Sequence, residues 1–168
     1  MSLWDNKHIP HKGWICVGMI DLGEDADDMD FETRRDELYE QCEMCRQEGI
    51  RYVHIMKHPE YADNLRVGCI CAQKMENDYT APRERENDLR NRHNRKINFL
   101  KREWQSRANG NLVLKYKGRY ITIMQSKYNQ LEYGVAYDGE YIWRYQGRKI
   151  RDIRTAQLAA FDIFDQEN

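Results

Sequence analysis

No stretch of this chain approaches the roughly 18 consecutive apolar residues that cross a bilayer. Charged residues make up 33% against 40% hydrophobic, and the mean hydropathy is −0.96, so no membrane span is expected. The opening residues, Met1 to Asn6, lack the basic and then apolar regions of a secretory signal, which leads to the expectation of a cytoplasmic protein. A His-Glu-x-x-His helix, the metal-ligand spacing of the deaminases and a glycine-rich phosphate loop are all missing. No small-molecule substrate is therefore indicated, and the pattern leans away from an enzyme. Net charge is nearly absent too, with 27 Lys and Arg against 28 Asp and Glu, a net of −1.

That balance conceals an uneven distribution along the 168 residues, a length that suits one domain or two small ones. Residues 1–45 carry twelve acids against four bases, and residues 82–108 carry nine bases against four acids. Such asymmetry fits a nucleic-acid face beside an acidic segment, or simply a solvated helix beside an acidic loop.

Five cysteines are present, and four fall within thirty residues as Cys42-x-x-Cys45, a 23-residue gap, and Cys69-x-Cys71. A Cys-x-x-Cys turn aims two sulfurs at one point, and a second pair completes the tetrahedral thiolate cage that Zn2+ prefers. Two residues apart in extended chain share a side, so Cys69 and Cys71 both qualify as ligands. The gap predicts a β-hairpin, with strands at Arg51–Met56 and Leu65–Val67 around a Pro59–Asn64 turn, and a short helix from Cys71. Knuckle, hairpin and helix start is the order of treble-clef zinc modules. His54 and His58, four apart on a strand, are alternative ligands in place of Cys69, and a metal-free fold is the third option. With thiolates filling every position the zinc would be structural. Cys16, within the apolar run Trp14–Ile20, is expected to be a core thiol.

Elsewhere, Trp14–Leu22 predicts a strand and Phe31–Gln41 a helix capped by Asp30. The segment from Pro82 towards Gly110 predicts a long basic helix with Leu89, His93, Ile97, Leu100 and Trp104 on one stripe. Arg85, Arg92, Arg95, Lys96 and Arg102 flank that stripe as candidate phosphate contacts. Beyond it, Leu112–Tyr116, Tyr120–Met124, Tyr133–Tyr137 and Tyr141–Tyr145 predict strands of an antiparallel sheet, followed by a helix over Arg154–Phe164. Tyr116, Tyr120, Tyr128, Tyr133, Tyr137, Tyr141, Trp143 and Tyr145 interleave with Lys115, Lys117, Arg119, Lys127, Arg144, Arg148, Lys149 and Arg151. Stacking rings among cations suit nucleic acid, and equally an ordinary half-buried sheet. The order of sheet and helix also resembles the small DNA-binding modules of phage integrase arm-binding domains.

The expected fold class is α+β in three parts. Residues 1–81 hold a strand, an acidic loop and a treble-clef-like zinc module. Residues 82–109 form the connecting basic helix, and 110–168 an antiparallel sheet backed by a helix.

His11-Lys12-Gly13-Trp14, the stretch from Cys42 through His54, His58-Pro59-Glu60-Tyr61, Val67 to Ala72 and Gly110-Asn111 together resemble a family of small uncharacterised bacterial proteins, several from prophages or other mobile elements. The resemblance covers nearly the whole chain and implies a zinc-binding core on Cys42, Cys45, Cys69 and Cys71. It supplies no catalytic residue. The first functional expectation is a non-enzymatic zinc-containing protein that binds DNA or RNA. The alternative is a protein-interaction adaptor using the zinc module and the acidic segment Glu24–Asp30. A metal-dependent nuclease using His54, His58 or His93 is the third, and it lacks a recognisable acidic partner.

Overall fold

The computed structural model describes residues 1–166, and the chain divides into two compact units, Met1–His93 and Asn94–Asn168. The division falls inside the long helix.

The first unit opens with a 3-10 turn at Leu3–Asp5 and the strand β1 (Ile15–Asp21). Helix α1 (Phe31–Glu37) starts where Asp30 accepts the Thr33 N–H at 2.9 Å, as its capping chemistry requires. Next come β2 (Tyr52–His58), β3 (Tyr61–Val67) and helix α2 (Cys69–Glu76), and the strands pair antiparallel in the order β1-β2-β3. The hairpin is longer than its sequence suggests, because only Pro59 and Glu60 turn and Tyr61 to Asn64 join the strand. Helix α2 also begins two residues earlier than expected, at Cys69. β1 is an edge strand with Ile15 and Val17 exposed, so Cys16 is half-buried, with its thiol donating to the Gly18 carbonyl at 3.2 Å. The core gathers Trp14, Met44, Met56, Leu65, Val67, Ala72 and Met75, with Cys42 and Cys71 among them.

Helix α3 (Ala81–Leu100) is set off by Asp78, whose carboxylate accepts the N–H groups of Thr80 and Ala81. It stops ten residues before Gly110. Trp104 lies beyond it, next to the short strand β4 (Gln105–Ser106), although its spacing continues the helical period. Arg102 is therefore not a helix residue either.

The second unit adds β5 (Leu112–Tyr116), β6 (Arg119–Gln125), β7 (Tyr133–Tyr137) and β8 (Glu140–Ile142), which form a five-stranded antiparallel sheet with β4 in sequence order. β9 (Arg144–Tyr145) and β10 (Arg148–Lys149) pair separately, so the expected strand Tyr141–Tyr145 is two strands broken at Trp143. Lys117-Gly118, Asp138-Gly139 and Gln146-Gly147 make two-residue turns with φ between 49° and 81° at both positions, the combination that matches the twist of a tight hairpin. Helix α4 (Ile153–Gln166), capped by Asp152 on Thr155, lays Ala156, Ala160, Phe161 and Phe164 on one face of the sheet. Phe99 completes this core, with its ring centroid 5.1 Å from Tyr116 and 5.5 Å from Phe161. Four helices and antiparallel sheets among the described residues make the chain α+β.

Candidate metal centre and cationic surface

Cys42 and Cys45 stand on a tight loop closed at its base by the Glu40–Ile50 bridge. The Arg46 N–H reaches the Cys42 carbonyl at 2.8 Å, and the Cys42 N–H reaches the Gln47 carbonyl at 2.8 Å. Arg46 takes a left-handed φ of 67°, which turns the chain sharply after the second cysteine. Cys71, in the first turn of α2, faces this loop. The Sγ atoms of Cys42, Cys45 and Cys71 all lie within 4.8 Å of one another. A tetrahedral zinc with bonds of about 2.3 Å sets its sulfurs about 3.8 Å apart, so the three thiols need little rearrangement.

The surroundings favour negative sulfur. The Gly68 N–H points at Cys42 Sγ from 3.4 Å, and Trp4 Nε1 donates to Cys71 Sγ at 3.3 Å. The Cys42 thiol is brought down to about 5, first by the Cys71 S–H and then by the backbone N–H groups of Cys45, Gly68 and Met44, against its burial. Cys71 is pushed up in turn, by its bond to Cys42 and by burial. One negative charge is welcome in this pocket, and the next needs a cation. Three thiolates around a divalent ion meet that need.

Cys69 does not join the triad. Side chains two apart on a helix point about 200° apart, so Cys69 and Cys71 leave α2 on different sides. Cys69 instead groups with His54 and Glu86, whose ligand atoms lie within 4.8 Å of its own, and its Sγ accepts from Gln73 Nε2 at 3.2 Å. Burial pushes the Cys69 thiol up, opposed by Gln73. All four cysteines line one depression of about 350 Å³ with Trp4, Lys74 and Glu86.

Neither alternative histidine joins the triad. His58 is engaged at both nitrogens, Nε2 with the Lys12 carbonyl at 3.0 Å and Nδ1 with the Glu60 N–H at 3.0 Å. His54 is buried, with Nε2 3.2 Å from Glu86 Oε1 and Nδ1 3.2 Å from Arg85 Nη2. The guanidinium can only donate, so Nδ1 accepts and the ring proton sits on Nε2, directed at Glu86. A metal on Nε2 would need that proton moved to Nδ1, against Arg85. His54 therefore fits a hydrogen-bonded chain from Glu76 through Arg85 to Glu86 better than a metal site. His93, the last of the nuclease candidates, is buried with Nε2 3.0 Å from Asp27 and no hydrogen-bond partner for Nδ1 among the described residues.

The cations of α3 do not form one exposed strip. Arg85 holds Glu76 at 2.5 Å, Arg92 holds Glu24 at 3.1 Å, Arg95 holds Asp165 at 2.9 Å, and Lys96 is buried. Arg92 and His93 also occupy Glu24 and Asp27 of the acidic segment, which leaves less of it for a partner.

In the second unit the Arg102 guanidinium sits 4.6 Å from the centre of the Tyr116 ring, Lys117 lies beside Tyr116 and Phe164, and Arg119 donates to the Tyr137 hydroxyl at 2.9 Å. Lys115 is exposed, 5.7 Å from the centre of the Tyr120 ring. Arg144 and Arg148 line a surface depression with Lys149 and Arg151, four cations around one hollow. The β9–β10 turn is what folds these four neighbours in sequence around the hollow. Trp4 and Glu86 are hidden from sequence spacing, since both reach the thiols from distant segments and carry no local motif.

No family model, curated protein or solved structure matches the chain.

Proposed function

We propose that the chain is a non-enzymatic, zinc-containing nucleic-acid-binding protein. Cys42, Cys45 and Cys71 hold a Zn2+ that ties the loop before the hairpin to the start of α2, a treble-clef-like arrangement; its role is structural through that tie, and with three thiols the fourth position falls to a water. The second unit supplies the nucleic-acid surface. The observation that carries this reading is the division of charge. Met1–His93 has 13 Lys and Arg against 20 Asp and Glu, a net of −7, and Asn94–Asn168 has 14 against 8, a net of +6. A basic unit whose cations line a common hollow attracts polyanions by releasing their counterions. On this reading the chain sits in the cytoplasm, where thiols stay reduced and free for a metal.

The test is equilibrium binding of the full chain to a labelled oligonucleotide across a salt series. Affinity should fall linearly on a log–log plot, and Arg148→Glu with Arg151→Glu should flatten the slope by about one for each phosphate that is no longer neutralised. Absent or salt-independent binding overturns the proposal.

A further inference from the structure

Helix α4 covers one face of the five-stranded sheet. Leu114, Tyr116, Ile121, Ile123, Val135 and Tyr137 are buried towards α4. The alternate residues face away. In register, Lys115 stands opposite Tyr120, and Val113, Thr122, Ala136 and Tyr141 form one row across four strands. Small side chains make the floor of this open face, and rings rise at its margins, with Tyr141 64% and Tyr120 56% exposed.

Trp143 lies on the same face. A Cβ added to Gly134 would meet three atoms of its six-membered ring at 2.7–2.8 Å. Near-equal distances to three atoms of one ring place that point close to the ring axis, so the indole lies flat on the Gly134 backbone. Any larger residue at 134 would lift it. Trp143 is nonetheless 40% exposed, and that accessible surface lies away from the Gly134 side. A large ring seated flat on a strand, open on one side and followed directly by Arg144, is a shelf for another flat ring.

We propose that this face binds single-stranded nucleic acid, with bases stacked on Trp143 and Tyr141 and the backbone phosphates drawn by Lys115 and Arg144. The inference rests on the nucleic-acid reading above and deepens it. Stacking accepts any base, because every base has a π-face, whereas the bases of a duplex are already stacked on each other. The basic charge of the unit and the lysine on the open face favour this occupant over an apolar protein surface.

The experiment uses the full chain and three fluorescein-labelled probes, dT12, U12 and a 12-base-pair DNA duplex, read by anisotropy and by quenching of tryptophan emission. Both single strands should bind more tightly than the duplex and quench emission, and a difference between U12 and dT12 assigns the preferred sugar. Trp143→Ala and Tyr141→Ala should each weaken single-strand binding about tenfold with the salt slope unchanged. Trp143→Phe should restore most of the affinity. Circular dichroism checks that the variants fold, and the exposed position of both rings spares the core. Equal binding of duplex and single strands with Trp143→Ala unchanged overturns the stacking face while leaving salt-dependent nucleic-acid binding intact. No binding to any probe overturns both readings and leaves the face to a protein partner.

Discussion

Cys69 and Cys71 share the first turn of α2 but point to different sides of it. Cys71 Sγ accepts from Trp4 within the thiol triad, and Cys69 Sγ accepts from Gln73 beside His54 and Glu86. The two thiols therefore have different chemistry despite their spacing.

The metal should follow that difference. Elemental mass spectrometry of the purified chain should find about one zinc per molecule, lost in Cys42→Ser and Cys71→Ser with unfolding of the first unit. Cys69→Ser should retain it. Equal loss in Cys69→Ser and Cys71→Ser would make Cys69 the fourth ligand and would refute the three-thiol assignment.

Arg85 is a structural cation in this arrangement, bonded to both oxygens of Glu76 and to His54. Arg85→Ala leaves a partly buried carboxylate and an imidazole acceptor without their donor. It should cost the first unit about 1–3 kcal/mol in urea unfolding while leaving the salt slope of nucleic-acid binding where it was. A lowered slope would return α3 to the binding surface.

Phe99 is fully buried and touches the rings of Tyr116, Phe161 and Trp104. Phe99→Ala should destabilise the second unit by about 3–5 kcal/mol, through lost transfer energy and the cavity left behind. A change below about 1 kcal/mol in denaturant unfolding would remove Phe99 from the core.

Two helix starts should be sensitive to acid. Asp30 is held below its ordinary value of 3.8 by the Thr33 N–H and hydroxyl, and Asp78 by the N–H groups of Ala81 and Thr80. A carboxylate whose folded value is depressed contributes fully above the unfolded value and loses that contribution as pH falls through the folded one. The starts of α1 and α3 should thus be insensitive to pH near neutrality and weaken below about pH 4. Carboxyl-carbon NMR titration should give midpoints under 3.8 for both, and a midpoint at or above that value for either refutes its cap.

Local signals are the legible ones. β5 and β7 occupy the spans their residues predict, because aromatic and β-branched runs sit between turn residues, and Asp30 and Asp152 cap the helices they precede. Cys42-x-x-Cys45 is legible as half of a metal site for the same reason. Cys69 is misplaced by its spacing because its role depends on whether the helix begins at residue 69 or 71, and a shift from extended to helical chain turns a shared side into opposed sides. Trp104 continues the spacing of α3 past the helix end, where spacing alone shows no break. The seat of Trp143 on Gly134 depends on strand register and on the break between β8 and β9, neither of which a local pattern records.

The two-residue turns of the second unit have a kinetic consequence. Lys117-Gly118, Asp138-Gly139 and Gln146-Gly147 each close the shortest of loops, so three of the unit's strand pairs form between immediate neighbours at little entropic cost. In the first unit, β1 must find β2 across a long intervening segment, with Cys16 opposite Met56. Folding slows as the residues that must meet become more distant in sequence. The second unit is therefore expected to assemble first, and the first to follow more slowly.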